Sequence, residues 1–110
     1  MNVGELCSRD LVSVPADTPL LEVAKAMKDE HVGIVVITKA PAEEPVAAGV
    51  ITDRDLACTL LDRRGEVAGL RAEDVMKRDP LVLCEGDSVE TAIRKMRGRG
   101  VRRAPVVTAR

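Results

Sequence analysis

The chain has no phenylalanine, tyrosine or tryptophan in its 110 residues. Its core must therefore be built from Val, Leu, Ile, Ala and Met, and any base it holds must lie against aliphatic side chains. Aromatic stacking platforms for single-stranded nucleic acid are excluded. Histidine is nearly absent. His31 is the only one, with no Ser, Cys or acid at a motif spacing from it, so the chain does not read as an enzyme. Cysteine is scarce too: Cys7, Cys58 and Cys84 are odd in number and form no Cys-x-x-Cys pair. A disulfide framework or metal site is not expected, and free thiols imply a reducing compartment. There is no long apolar run and no signal-peptide pattern. The expectation is a cytoplasmic protein that does not enter a membrane.

The formal net charge is −1, but it is unevenly spread. Residues 1–75 carry 8 basic and 14 acidic side chains, and residues 76–110 carry 9 basic and 4 acidic. Such polarity favours self-association or a phosphate-attracting end.

Hydropathy patterning divides the chain into short elements. Leu11-Val12-Ser13-Val14 is an extended segment closed by Pro15. Thr18-Pro19 predicts a helix start with a capping hydroxyl, followed by an apolar face of Leu20, Val23, Ala24 and Met27 that ends near Glu30. Gly33 to Thr38 is a β-branched run expected to be a buried strand. A solvent loop over 39–45 leads to a second strand, Val46 to Thr52, and a helix from Asp53 to Arg64 stopped by Gly65. Residues 65–75 read as a connector with a short helical turn near 70–75.

The pattern then starts again. A shift of 69 positions lays the opening of the chain on residues 76–108 without a gap, placing Arg9-Asp10 on Arg78-Asp79 and the helix face on Val89, Ala92, Ile93 and Met96. The predicted division is a first module over 1–65, a connector over 66–75 and a second module over 76–110. The second copy ends after its first long strand, 103–108, with nothing corresponding to residues 42–64. That strand then lacks its neighbour beside an uncovered helix face, which predicts a homodimer or higher homo-oligomer.

The most informative stretch is Gly49-Val50-Ile51-Thr52-Asp53-Arg54-Asp55, a strand running straight into a helix. Thr52 or Asp53 is the expected N-cap, and free backbone N–H groups at such a junction attract anions. Thr52 and Asp55, three apart, could grip a diol such as a ribose. Read without that role, they cap a helix and complement its dipole. The same applies to Asp53-x-Asp55 as a metal pair, and no metal is expected.

Gly-apolar-apolar-Thr-x-x-Asp entering a helix resembles the signature of CBS domains, and Val101-Arg102-Arg103-Ala104-Pro105-Val106-Val107 resembles their apolar-x-Arg-x-Pro-Val strand. The resemblance implies an α+β fold of tandem βαββα modules, a CBS pair, whose second module is incomplete at the C-terminus. It implies a regulatory protein that binds AMP, ADP or ATP, or S-adenosylmethionine, and alters its own association or the activity of an unidentified partner. It places Asp55 on the ribose, Thr52 on the ribose or the first phosphate, Arg54 over the phosphates, and at least one of Arg102 and Arg103 on phosphate. Adenine is expected against Val12, Ser13 and Val14, with Ile34 or Val35 lining the pocket. Lys77 and Arg78 are further phosphate candidates. With one such motif, at most one site per chain is expected. The competing readings are a ligand-free dimerisation scaffold and, third, nucleic-acid binding through the basic residues of 94–103.

Overall fold

The computed structural model describes residues 1–7, 11–39 and 46–107. They form two compact units, one drawn from 11–80 and the other from 1–10 together with 81–110.

In the 11–80 unit, a four-stranded sheet is ordered β1-β2-β3-β4, with β1 at Ser13–Pro15, β2 at Ile34–Lys39, β3 at Val46–Thr52 and β4 at Lys77–Arg78. β1 and β2 are parallel; β2–β3 and β3–β4 are antiparallel. Two helices, α2 (Leu20–Glu30) and α4 (Ala72–Val75), cover one face. The three-and-four spacing of α2 turns Leu20, Val23 and Met27 inward, where they pack with Val35 and Ile37 of β2, Ile51 of β3, Ala72 and Met76. Val23, Val35, Ile37 and Ile51 are fully buried, each stabilising the fold by about 1.5–3 kcal/mol. Val36 and Val50 sit opposite each other on the reverse face and are buried too. Burial on both faces is why β2 reads as a continuous apolar run.

The remaining helices are α1 (Val3–Leu6), α3 (Asp53–Asp62) and α5 (Val89–Arg99). The second unit joins α1 and α5 to a two-stranded parallel sheet, β5 (Leu83–Cys84) with β6 (Val106–Val107), around Val3, Leu83 and Ala92.

The 69-residue repeat extends to backbone detail. α2 maps onto α5 end to end, and the left-handed residue closing each falls on the same position, His31 (φ 55°) and Gly100 (φ 66°). Strand register repeats as well: Val14 opposes Ile37, and Leu83 opposes Val106. The lead-in helices also repeat, and they are exchanged. α1 packs in the unit of the second copy, where Val3 N–H donates to Asp87 O (2.9 Å) and Gly4 N–H to Glu85 O (2.9 Å). Its counterpart α4 packs in the unit of the first copy, where Ala72 N–H donates to Thr18 O (2.8 Å) and Glu73 N–H to Ala16 O (3.0 Å). The compact units thus cut across the linear division into 1–65, 66–75 and 76–110.

Several expected boundaries shift. The N-cap of α2 is Pro19, and no side chain caps it; Leu20 N–H instead donates to the Leu70 carbonyl at 2.8 Å. The connector therefore supplies the capping acceptor expected from Thr18. α3 ends at Asp62, and the left-handed turn is made by Arg64 and Gly65. In the second copy the strand is only Val106–Val107, because Pro105 lacks an N–H and the chain bends at Arg102. Arg102 and Arg103 thus precede the strand instead of opening it. The loop over 40–45 and the end of the expected strand at 108 lie outside the described residues.

Candidate functional site

The junction between β3 and α3 is tightly built. β3 runs inward to the fully buried Ile51, and Thr52 then turns to extended geometry (φ −103°, ψ 166°) as the N-cap of α3. A capping box closes the turn: Asp55 N–H donates to Thr52 Oγ1 (3.2 Å), and Thr52 N–H donates to Asp55 Oδ2 (2.9 Å). Asp53 N–H donates to the Gly33 carbonyl (3.0 Å), and Arg54 N–H to Asp53 Oδ1 (2.9 Å). The backbone donors of residues 52–55 are therefore all engaged internally. This corrects the expectation of free N–H groups awaiting an anion; only the helix dipole and nearby cations remain to attract one.

One cation is already there. Lys77 Nζ lies 3.4 Å from Asp55 Oδ1, with 65% of the lysine side chain exposed and 11% of the aspartate. β4 puts it there by pairing with β3 so that Lys77 opposes Val50. Arg78, next along the strand, reaches the Glu73 carbonyl with Nη2 at 3.4 Å. Alternation along β4 thus separates two residues that looked equivalent in the sequence. Each oxygen of an ionised carboxylate has two lone-pair directions, so Asp55 retains acceptor capacity beside its bonds to Thr52 and Lys77.

The remaining expected site residues of this unit lie along the same sheet. Ile34 opposes Thr52 directly and is half-buried. Val12 accepts the Val36 N–H at 3.0 Å, and Val12 and Val14 pack against the core while Ser13 is exposed. Of these four, Ser13 is thus the accessible one, while Ile34 is half-buried like the two valines. Arg54 is exposed in the first turn of α3. Arg102 and Arg103 belong to the other unit. Lys77 as the partner of Asp55 was missed; its only signal was a charge at the entry to the second copy, and no local spacing links it to residue 55.

Other chemistry is sparse. The basic run is partly engaged, Arg94 Nη2 with Thr91 Oγ1 (3.4 Å) and Lys95 Nζ with Asp87 Oδ2 (3.5 Å). Cys84 N–H and Lys95 hold the Asp87 carboxyl below its ordinary range against an opposing effect of desolvation. His31 is exposed at the end of α2. Among the described residues no group of three or more His, Cys, Asp or Glu could hold a metal, and no helix is long and apolar enough to cross a membrane.

Comparison with known proteins agrees with this architecture. The chain is 30% identical over 107 residues to an uncharacterised protein of Methanopyrus kandleri, covering 97% of this chain and 53% of that one. It is 31% identical over 97 residues to a CBS domain-containing protein of Arabidopsis thaliana, covering 87% of this chain and 17% of the relative. The chain thus spans about half the length of one curated relative and less of the other. Among solved structures, a CBS domain protein from Pyrobaculum aerophilum complexed with AMP superposes with a TM-score of 0.82 at 28% identity, over 98% of this chain and 79% of that one. The CBS domain model matches residues 3–62 and again 72–110, so the repeat, the mixed α+β fold and the Thr52–Asp55 junction together place this chain in the CBS domain family.

Proposed function

We propose that this chain is a regulatory, non-enzymatic binding module for an adenosine-containing ligand, either AMP, ADP or ATP or else S-adenosylmethionine. Asp55 accepts the ribose hydroxyls, Thr52 and Arg54 flank the ribose and phosphates, and Ser13 and Ile34 with the backbone of Val12 to Val14 line the adenine. The carrying observation is the largely buried Asp55 carboxylate, oriented by its bond to the Thr52 N–H at the strand-to-helix junction with acceptor capacity to spare. The AMP complex of the Pyrobaculum aerophilum relative supports an adenine nucleotide. Regulation follows by linkage: a ligand with higher affinity for one arrangement shifts the population toward it, changing self-association or a partner's activity. Exposed Leu21 and Leu60 lining an apolar groove of about 280 Å³ between α2 and α3 support association with another copy.

The test is calorimetric titration with AMP, ADP, ATP and S-adenosylmethionine, comparing wild type with Asp55→Ala and Asp55→Asn. Asp55→Asn keeps an oxygen for the Thr52 N–H while removing the charge. Saturable binding lost in both variants, with circular dichroism unchanged, is the expected result. A folded wild type that binds none of the four at millimolar concentration overturns it. The second reading, a ligand-free dimerisation scaffold, is favoured by one observation: the capping box and Lys77 already give Thr52 and Asp55 a complete structural role.

A further inference from the structure

The backbone donors of residues 52–55 are engaged by Thr52, Asp53, Asp55 and Gly33, so a phosphate near this junction has to be met by side-chain cations. Arg78 is turned to the Glu73 carbonyl, whereas the Lys77 ammonium stands 3.4 Å from the carboxylate assigned to the ribose. We propose that Lys77 makes this site select nucleoside 5′-phosphates over uncharged nucleosides. The inference rests on the ribose role of Asp55 given above.

The reasoning is one of charge and reach. In the ligand-free protein Lys77 neutralises Asp55 from an exposed, four-carbon stem that can swing at small cost. In a 5′-nucleotide the phosphate hangs from the same furanose ring whose 2′ and 3′ hydroxyls face the carboxylate. An ammonium beside that carboxylate is therefore within one sugar of the phosphate. A phosphorylated ligand gives Lys77 a dianionic partner and frees acceptor positions on Asp55 for the diol. An uncharged nucleoside gives Lys77 nothing and competes with it for the same carboxylate.

The experiment titrates the full chain with AMP and with adenosine at fixed ionic strength, in wild type, Lys77→Met, Arg78→Met and Asp55→Ala, with circular dichroism confirming each fold. Lys77→Met keeps the apolar stem and removes the charge. It is expected to weaken AMP by about 5-fold or more, the scale of an exposed charge pair, while adenosine binds as well or better. Arg78→Met is expected to keep the wild-type ratio of AMP to adenosine affinity. If Lys77→Met keeps that ratio while AMP binding still depends on Asp55, the role of Lys77 is overturned and the ribose site stands. If folded wild type binds neither probe, or AMP binding ignores Asp55→Ala, the ribose site falls and this role falls with it.

Discussion

Gly49 and Lys77 pass so close that a Cβ on Gly49 would stand 2.7 Å from the Lys77 carbonyl oxygen, and 2.8 Å from Met76 Sδ. This close approach lets β4 pair with β3 and brings the Lys77 side chain to Asp55. Gly49→Ala is expected to destabilise the protein by about 1–3 kcal/mol through overpacking against backbone. Urea unfolding measures it. A midpoint equal to wild type would show that β4 moves aside freely.

Removing the hydroxyl at Thr52 leaves the Asp55 N–H without its acceptor. Thr52→Ala is expected to cost about 1 kcal/mol, and Thr52→Ser to restore most of it. Thermal unfolding of both variants decides whether the hydroxyl or the methyl group matters.

His31 occupies the left-handed conformation that Gly100 occupies at the equivalent position of the repeat. A side chain there costs about 1–2 kcal/mol, part of which glycine returns through the entropy of the unfolded chain. His31→Gly is therefore expected to raise stability by about 0.5–1 kcal/mol. An unchanged or lower unfolding midpoint would show that the imidazole contributes contacts of its own.

Asp87 is held in its ionised form first by the Cys84 N–H and then by Lys95. Its carboxyl titrates lower in the folded than in the unfolded protein. Its contribution is complete above the unfolded value of about 3.9 and is lost as pH falls through the folded value. Unfolding midpoints from pH 7 to 3 are expected to fall less steeply at the acid end in Asp87→Asn than in wild type.

Much of the fold was legible because its signals are local. The face of Leu20, Val23 and Met27 follows from helical spacing, β2 and β3 from β-branched and alternating runs, and the Thr52–Asp55 cap from a separation of three residues. The second copy was legible only by its register with the first. Its strand is shorter than expected because Pro105 withholds a ladder donor and the chain bends before it.

What the sequence by itself determined is the order of elements, the 69-residue repeat and the oriented carboxylate at the β3–α3 junction. The elements and the cap depend on residues within a few turns of one another, and the repeat is the same local pattern met twice. The tertiary structure decided which unit each lead-in helix joins, that Leu70 caps α2, that Gly33 takes the Asp53 N–H, and that Lys77 and not Arg78 faces Asp55. Those pairings cross 20 residues or more, and periodicity cannot choose partners at that distance. Tertiary packing chooses them, and for Lys77 it is the register of β4 on β3, with the close passage at Gly49, that sets its partner.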